Sequence, residues 1–390
     1  MDSPNTDHGL SDAIEALEIS PISYPDQDRY PLRLTKSIRY SYYLLPITER
    51  GTVSAPVLGP SLGIFRLLRD RSYSHEIVHE DFNSDTVFYE IVALKNELNH
   101  MFKRGLTLQQ EIAFENHLFH SLASMVYGSN MIEKAGSDWD ITFKLCLAVF
   151  QGEEIPDEIE EDTQDYKALK ESLIRQNLPA SNSAVLKSWR EVVQHAKAAE
   201  FMMHELRTFR KDLSEEMILK IHGILTHKID ADSTPWEEYS GVYRSHEVSA
   251  GLHAFPDPAL VPHKMKSMIH DLENDLQDVI REKTIDPFAL VAKYTHIFVN
   301  IHPFIDGNGR MCRLILNSML VRFGFFPVWI GVDHDDRSTY LEITANGSAL
   351  EDLYEDAEED DKPELHTELA SYVLRRMKDS MVEMISAMTE

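Results

Sequence analysis

Cysteine, basic residues and long apolar runs are all scarce in this chain of 390 residues. Its two cysteines, Cys146 and Cys312, are too few for a disulfide framework and indicate a reducing compartment. Only 38 Lys and Arg residues stand against 65 Asp and Glu residues, which gives a net charge of -27. Because a nucleic-acid partner requires a basic face, the composition argues against DNA or RNA as a partner.

No stretch approaches the roughly 18 apolar residues of a membrane-spanning helix, so no transmembrane segment and no membrane partner are expected. The N-terminus (MDSPNTDHGLSDAIEALEIS) lacks the basic start and the long apolar core of a secretory signal peptide. We therefore expect an intracellular, cytoplasmic protein, with a nuclear location as an open alternative. The triplet Asn346-Gly347-Ser348 matches a glycosylation site, and we expect such a location to leave it unmodified.

Acidic residues concentrate in two runs, Glu153 to Asp165 and Glu351 to Asp361, each with eight carboxylates. Because like charges repel and favour solvated chain, both runs are predicted to be mobile loops. A docking surface for a basic partner is the alternative interpretation.

Apolar residues recur at helical spacing from about residue 86 onward, which predicts an all-α fold with one small hairpin near Val242 to Ala250. Residues 1–85 alternate in places, as at Ser41 to Leu45, and could hold a short strand or two. We divide the chain into five parts: an N-terminal extension (1–85), a helical segment (86–150), an acidic linker (151–186), a core (187–350), and an acidic loop with a C-terminal helix (351–390).

Helix boundaries can be predicted at several places. The residues Thr107-Leu108-Gln109-Gln110 fit a capping box that opens a helix, and Gly128 is predicted to interrupt that helix. Two runs that are apolar all round, Phe288 to Phe298 and Arg313 to Phe323, are predicted to be central, buried helices. The other helices are expected near Trp189 to Leu206, Met217 to Leu225, Met265 to Ile280 and Leu365 to Ile385.

One polar segment, Ile301 to Arg313 (IHPFIDGNGRMCR), joins the two apolar helices. Its Gly307-Asn308-Gly309 turn can direct backbone N–H groups toward one point. At a helix N-terminus, such a turn forms an anion-binding concavity. Arg310 and Arg313 lie three residues apart on one helical face and can bind further phosphate oxygens.

Two further side chains complete the chemistry of this segment. Asp306 lies at the edge of the turn, where a carboxylate can hold Mg²⁺ that also binds phosphates. His302 precedes the turn, where an imidazole can take a proton from an attacking hydroxyl. Each feature alone has a simpler explanation, a core histidine or an ordinary turn. Together they compose a nucleotide-transfer site.

The segment resembles the signature of Fic (Fido) domains, HPF-x-[D/E]-GN-[G/K]-R-x-x-R, at every specified position. The resemblance covers about residues 187–350. It implies a helical bundle with a hairpin flap, which transfers AMP from ATP to a Ser, Thr or Tyr hydroxyl of a target protein. His302 would then be the general base and Asp306 the Mg²⁺ ligand. Phosphate groups would be held by Gly307, Asn308 (backbone and amide), Gly309, Arg310 and Arg313.

Two neighbouring stretches extend the resemblance. The stretch from Gly241 to Pro262 resembles the Fic flap, which aligns the target segment by strand addition. Its matching residues for target docking are Val242, Tyr243, Arg244, Val248 and Gly251. Tyr340 and Asn346 resemble the adenine-side segment of the family, with a spacing about two residues shorter.

Upstream, Ser129-x-x-x-Glu133 resembles the inhibitory motif of the family, [S/T]-x-x-x-E-[G/N], with Lys134 at the last position. Its place before the core matches the class with an N-terminal inhibitory helix. The resemblance implies that Glu133 pairs with Arg313 and keeps the γ-phosphate of ATP from seating. Homodimers also occur in the family and are an open alternative.

Three other functions stay open on the sequence alone. The glutamate of this motif positions water for AMP removal in some family members, so Glu133 could be catalytic. Other members transfer UMP or phosphocholine. A non-catalytic nucleotide-binding scaffold is a third alternative, and the intact His302 argues against it.

Overall fold

Helices make up nearly all regular structure in the computed structural model, which describes residues 34–43, 52–58, 61–67, 73, 82–209, 211–231, 234–250, 253–354 and 363–389. The predicted all-α fold is confirmed. The helices are α1 (Leu34–Tyr43), α2 (Ser84–Arg104), α3 (Leu108–Ile132), α4 (Trp139–Phe150), α5 (Gln164–Arg175), α6 (Asn182–Met203), α7 (Glu215–Leu225), α8 (Trp236–Tyr239), α9 (Val261–Glu282), α10 (Pro287–Ile301), α11 (Asn308–Arg322), α12 (His334–Leu353) and α13 (Thr367–Thr389).

The strands form two small sheets. A hairpin of β3 (Ser249–Ala250) and β4 (His253–Ala254) pairs Ser249 with Ala254. The predicted small hairpin is therefore present, but its strands begin at Ser249 rather than near Val242. A second sheet, in the order β1-β2-β5, combines an antiparallel hairpin with a parallel strand. Its strands are β1 (Thr52–Leu58), β2 (Ser61–Leu67) and β5 (Thr284–Ile285).

The alternation at Ser41 to Leu45 did not mark a strand. Residues 41–43 end helix α1, and Leu44 and Leu45 lie outside the described residues. The buried Leu34 and Ile38 are four residues apart, so burial follows the helical period here. The three-stranded sheet lies further along, and its β5 strand was not predicted.

Helix α3 carries the predicted capping box but does not stop at Gly128. Thr107 Oγ1 accepts the Gln110 N–H at 3.2 Å, and Gln110 Oε1 accepts the Thr107 N–H at 3.1 Å. The helix continues to Ile132, so the predicted interruption was wrong. A Cβ at Gly128 would lie 2.3 Å from the Ile330 carbonyl oxygen. The glycine therefore permits close backbone packing rather than a break.

The two apolar runs are central helices, as predicted. Helix α10 begins at Asp286, whose Oδ1 accepts the N–H groups of Phe288 and Ala289, both at 3.1 Å. Every residue of α11 except Gly309 is buried. The polar turn between α10 and α11 is therefore held by two helices that the surrounding bundle fixes in place.

The first acidic run is partly docked rather than mobile. The Trp189 indole donates to the Pro156 carbonyl at 2.8 Å, and Arg190 Nε donates to the Asp157 carbonyl at 3.0 Å. Desolvation raises the pKa of the Asp157 carboxyl, but Lys197, His227 and Lys228 together outweigh that effect, and the pKa lies below its ordinary value. The mobile-loop prediction was therefore wrong for this part, since backbone carbonyls and one carboxylate dock on α6.

The second acidic run lies only partly within the described residues. Residues 351–353 end α12, Tyr354 follows the helix, and residues 355–361 lie outside the described part. Residues 33–390 form one compact unit. Of the helices that the structure describes, none combines the length and apolar character needed to cross a membrane.

Gly128→Ala should lower the free energy of unfolding by about 1–3 kcal/mol, because the added methyl meets a backbone oxygen that cannot rotate away. Urea unfolding of both proteins measures the difference. Gly223→Ala is the matched control, since its nearest neighbour, Gly241 Cα, would lie 3.8 Å away. The control should be unchanged or gain up to about 1 kcal/mol from helix propensity. Equal effects at the two positions would contradict the close-packing explanation.

Candidate active site

Helix α10 ends at His302, whose backbone is left-handed with φ 48°. Its ring Nδ1 lies 3.2 Å from the Val299 carbonyl oxygen. Because a carbonyl can only accept, Nδ1 carries the proton of the neutral imidazole and Nε2 keeps a lone pair. The ring is thereby oriented with an unprotonated nitrogen available for proton transfer.

The surroundings of His302 keep the imidazole neutral. Burial lowers the pKa of His302 to about 4, and the positive charge of Arg244 acts in the same direction. The ring stacks on Phe255 with centroids 3.7 Å apart, and Arg244 Nε donates to the His302 carbonyl at 2.7 Å. At neutral pH the side chain is therefore a base rather than an acid.

Asn308 braces the turn between the two central helices. Its Oδ1 accepts the Phe304 N–H at 2.9 Å, and its Nδ2 donates to the Phe304 carbonyl at 2.8 Å. Gly307 has φ 81° and precedes α11, so it supplies the left-handed step that the turn needs. With the Asn308 amide engaged in this way, the first backbone N–H groups of α11 remain for an anion.

Arg310 contributes buried positive charge beside these N–H groups. It is only 3% exposed, and its Nη2 lies 3.1 Å from Asp306 Oδ2. Within the described residues, its Nε and Nη1 have no hydrogen-bond partner. A buried donor without a hydrogen-bond partner costs free energy, so such donors are rare. Two of them beside a helix N-terminus therefore indicate a place where an anion can bind.

Arg313, also 3% exposed, is fully engaged by helix α3. Its Nε donates to Ser129 Oγ at 2.8 Å, and its Nη2 donates to the Ser129 carbonyl at 3.0 Å. The same Nη2 lies 2.6 Å from Glu133 Oε1. Burial by itself lowers the pKa of Arg313, but the Glu133 carboxylate, together with Tyr340 and Cys312, more than offsets this and holds the pKa above its ordinary value.

The Glu133 carboxylate also lies directly on the first turn of α11. A Cβ at Gly309 would be 2.0 Å from Glu133 Oε1, so only glycine permits this approach. The structure thus brings Ser129 and Glu133 together with Arg313 and Gly309. A carboxylate at this position interacts favourably with the helix dipole and with the exposed N–H groups.

Comparison with known proteins identifies this region. Residues 212–320 match the Fic/DOC family. These residues form a Fic domain. A Fido domain-containing protein of Dictyostelium discoideum is 41% identical over 97 residues, which are 25% of this chain and 65% of that protein. The protein adenylyltransferase Fic of Drosophila yakuba is 33% identical over 119 residues, 30% of this chain and 22% of that protein.

Solved structures share the fold of this Fic domain and its surroundings. A Fic domain-containing signaling protein from Bacteroides thetaiotaomicron has a TM-score of 0.55 at 21% identity, covering 79% of this chain and 98% of that one. Fic-1 from C. elegans has a TM-score of 0.52 at 21% identity, covering 78% of this chain and 73% of that one. The chain spans less than two thirds of the length of the curated relatives named above.

In the flap of the Fic domain, Arg244 is a bracing residue. It is 3% exposed, and besides His302 it donates from Nη2 to the Pro256 carbonyl at 2.6 Å and from its backbone N–H to the Pro303 carbonyl at 2.9 Å. Val242 is exposed and Val248 is half-buried just before β3. Tyr243 contacts Phe304 by its ring, and Gly251 lies outside the described residues.

The two residues predicted on the adenine side differ in burial. Tyr340 is 2% exposed and supports Arg313, whose guanidinium carbon lies 5.7 Å from the ring centroid. Its hydroxyl lies 3.6 Å from Cys312 Sγ. Asn346 is exposed on α12. Tyr340 therefore packs against Arg313, whereas Asn346 lies on the surface.

The residues after Glu133 show how the turn that follows α3 is held. Lys134 has φ 55°, a left-handed backbone that Gly or Asn adopts more readily, and its side chain is exposed. The Gly136 N–H donates to Glu191 Oε2 at 2.7 Å, and Asn130 Oδ1 lies 2.8 Å from His195 Nδ1. Buried polar groups of α6 thereby fix the end of α3.

Sequence reasoning missed one residue of this site, His222 on α7. It is fully buried, its Nε2 lies 2.9 Å from the Asp306 carbonyl oxygen, and its ring stacks on Phe304 at 3.6 Å. Burial lowers the pKa of His222 to about 4. The only signal in the sequence was a polar residue among the apolar positions of a short helix, which is more often a core histidine.

The tautomer of His302 can be tested by nitrogen NMR on labelled protein. We expect Nδ1 to be protonated, Nε2 unprotonated, and the ring still neutral near pH 5.5, because its pKa is lowered to about 4. An ordinary imidazole, with a pKa of about 6.5, is mostly charged there. His302→Gln lacks the ring nitrogen signals of His302, so comparison of the two spectra assigns them. A ring that is protonated near pH 5.5, or that carries its proton on Nε2, would contradict the geometry.

Proposed function

We propose that this chain is an autoinhibited protein adenylyltransferase, which transfers AMP from ATP to a Ser, Thr or Tyr hydroxyl of a target protein. The observation that carries the proposal is the Glu133 carboxylate, 2.6 Å from Arg313 Nη2 at the N-terminus of α11. An acidic side chain is held where an anionic ligand would bind, next to unpartnered donors of Arg310. The name of the Drosophila relatives, protein adenylyltransferase Fic, agrees with this reaction.

The proposed reaction is an in-line displacement at the α-phosphorus. The target hydroxyl oxygen forms a bond to that phosphorus, the bond to the bridging oxygen breaks, and pyrophosphate leaves. Nε2 of His302 takes the hydroxyl proton, as its free lone pair and lowered pKa allow. The N–H groups of Asn308 and Gly309, together with Arg310, stabilise the charge that develops on the phosphate oxygens.

Asp306 fits the role of the proposed Mg²⁺ ligand. Its side chain is 43% exposed, and one carboxylate oxygen lies 3.1 Å from Arg310 Nη2. Mg²⁺ prefers one or two carboxylates plus phosphates and water, so a single protein ligand beside a phosphate site suits it. Bound there, the ion would neutralise phosphate charge while Arg310 keeps the carboxylate oriented.

The restraint works through competition for Arg313. In productive binding this arginine holds the γ-phosphate, but here Ser129 and Glu133 occupy it. The Arg313 side chain is nearly inaccessible while that of Glu133 is 37% exposed, so the pair lies at the edge of a buried site and joins the two groups by a charge-assisted bond. ATP must displace the carboxylate before its α-phosphate can be aligned for attack.

A second candidate activity is removal of AMP from a modified target. Glu133 remains 37% exposed while it contacts Arg313, so its carboxylate can reach water as well as the phosphate site. A carboxylate there can orient water toward the phosphorus of a bound AMP ester. Mg²⁺-dependent release of AMP from a modified target, lost in Glu133→Gly, would identify this activity.

Glu133→Gly should raise AMP transfer by about 100-fold, because it frees Arg313 from a charge-assisted pair worth a few kcal/mol. Automodification with labelled ATP and Mg²⁺ measures the rate. Glu111→Gly is the control, since Glu111 lies in the first turn of α3, at the opposite end from Glu133, and pairs with Arg39. Glu133→Gly combined with His302→Ala should be inactive. Equal rates for wild type and Glu133→Gly would mean that the contact restrains nothing.

Arg313→Ala should not activate the protein, although it removes the partner of Glu133. The same change removes the group that holds the γ-phosphate, so the triphosphate has no anchor for in-line attack. We expect a rate at or below that of wild type and at least about 10-fold below that of Glu133→Gly. A rate above that of wild type would contradict the shared use of Arg313.

A further inference from the structure

His222 connects two backbone segments that carry different parts of the site. Its Nδ1 lies 2.9 Å from the Gly241 backbone nitrogen and its Nε2 lies 2.9 Å from the Asp306 carbonyl oxygen. The Gly241 N–H can only donate and the carbonyl can only accept. A single neutral tautomer, protonated on Nε2, therefore satisfies both contacts.

The imidazole lies flat beneath the turn that precedes α11. Its ring is parallel to that of Phe304, with centroids 3.6 Å apart and an interplanar angle of 5°. A Cβ added to Gly307 would lie 3.4 Å from His222 Nε2. The ring thus fixes the position of the Asp306–Gly307 backbone. This backbone carries the Asp306 carboxylate and leads into the first N–H groups of α11.

On its other side, the ring holds the base of the flap against α7. A Cβ at Gly241 would lie 3.1 Å from the Leu219 carbonyl oxygen, so the two backbones are in close contact. Ser240 Oγ contacts Thr226 Oγ1 at 2.8 Å and donates to the Gly223 carbonyl at 3.2 Å. The flap therefore begins at a fixed point on α7, next to His222.

Arg244 already clamps the beginning of the turn, at His302 and Pro303. His222 holds its other end, at Asp306. We propose that His222 is a positioning residue. Its two hydrogen bonds hold the target-aligning flap and the phosphate-binding turn in a fixed position relative to each other. This inference rests on the proposed function, since it assigns the flap to the target and the turn to ATP.

The expected effect separates the rate from binding. The arginines proposed to bind ATP lie on α11, whose residues other than Gly309 are buried in the bundle, so ATP binding should change little when the Asp306 end of the turn moves. The rate depends on bringing the target hydroxyl, Asp306 and the α-phosphate together. A misplacement of about 1 Å can cost about 100-fold in such a step.

The test compares His222→Gln with His222→Phe, each in the Glu133→Gly protein. A Gln amide has one acceptor and one donor like the neutral imidazole, whereas Phe keeps the stacking on Phe304 and has neither. We expect kcat for transfer to fall about 10- to 100-fold with Phe and less than about 10-fold with Gln. The Kd for ATP, measured by calorimetry, should stay within about 3-fold. His204→Phe, which replaces a buried imidazole that contacts Thr208, is the control.

Three results would overturn the proposal. Phe could retain the rate that Gln loses, which would make stacking the essential contact. Both variants could match the Glu133→Gly parent in kcat. ATP affinity could fall in parallel with the rate, which would indicate general damage to the site rather than a changed position of the flap relative to the turn.

Hydrogen exchange separates this inference from the proposed function. If Glu133→Gly transfers no AMP, the proposed function fails while the coupling can still be measured. We expect His222→Phe to speed amide exchange in residues 241–248 and 303–309 together, and His222→Gln to restore both. Faster exchange in only one segment, or in neither, would overturn the coupling.

Discussion

The buried guanidinium of Arg313 is the constraint on which the rest of the site depends. A charge that is only 3% exposed must be paired, and Ser129 on α3 and Glu133 just after it provide the partners. To reach it, α3 approaches the segment before α12 so closely that Gly128 has no room for a Cβ. Gly309 leaves room for the carboxylate in the same way. The contact between α3 and Arg313 is thus accompanied by close packing at two glycines, one against the Ile330 backbone and one against the Glu133 carboxylate.

Helix α11 has opposite charge requirements at its two ends. Its N-terminus presents N–H groups with Arg310 and Arg313, which suits an anion. At its C-terminal end, Lys95 donates to the Gly324 carbonyl and Arg207 Nη1 to the Arg322 carbonyl at 3.1 Å. Burial, with Arg207 nearby, lowers the pKa of Lys95 to about 7. The bundle places basic side chains where the helix dipole is negative, so the same central helix is stabilised at its C-terminal end and presents donors at its N-terminal end.

Much of this could be predicted from local pattern. The capping box at Thr107, the apolar helices around the signature and the flap hairpin follow from short-range rules, which do not need the tertiary structure. The errors share one cause. In isolation a glycine such as Gly128 predicts a helix break, and an acidic run such as Glu153 to Asp165 predicts solvated chain. In the folded chain a neighbouring backbone and the cations Lys197 and Lys228 decide the outcome instead.

The sequence by itself determined the chemistry: a histidine, an acid, a glycine turn and two arginines within thirteen residues, and a distant glutamate with a serine four positions before it. Within each of these two segments the residues are close along the chain, so their spacing can be recognised from the sequence. Only the tertiary structure decided which groups are free to act. It engages the Asn308 amide with Phe304, leaves Arg310 donors unpartnered, and sets His222 between flap and turn. Those assignments depend on which buried donor meets which acceptor across helices, and such pairings are invisible until the chain is folded.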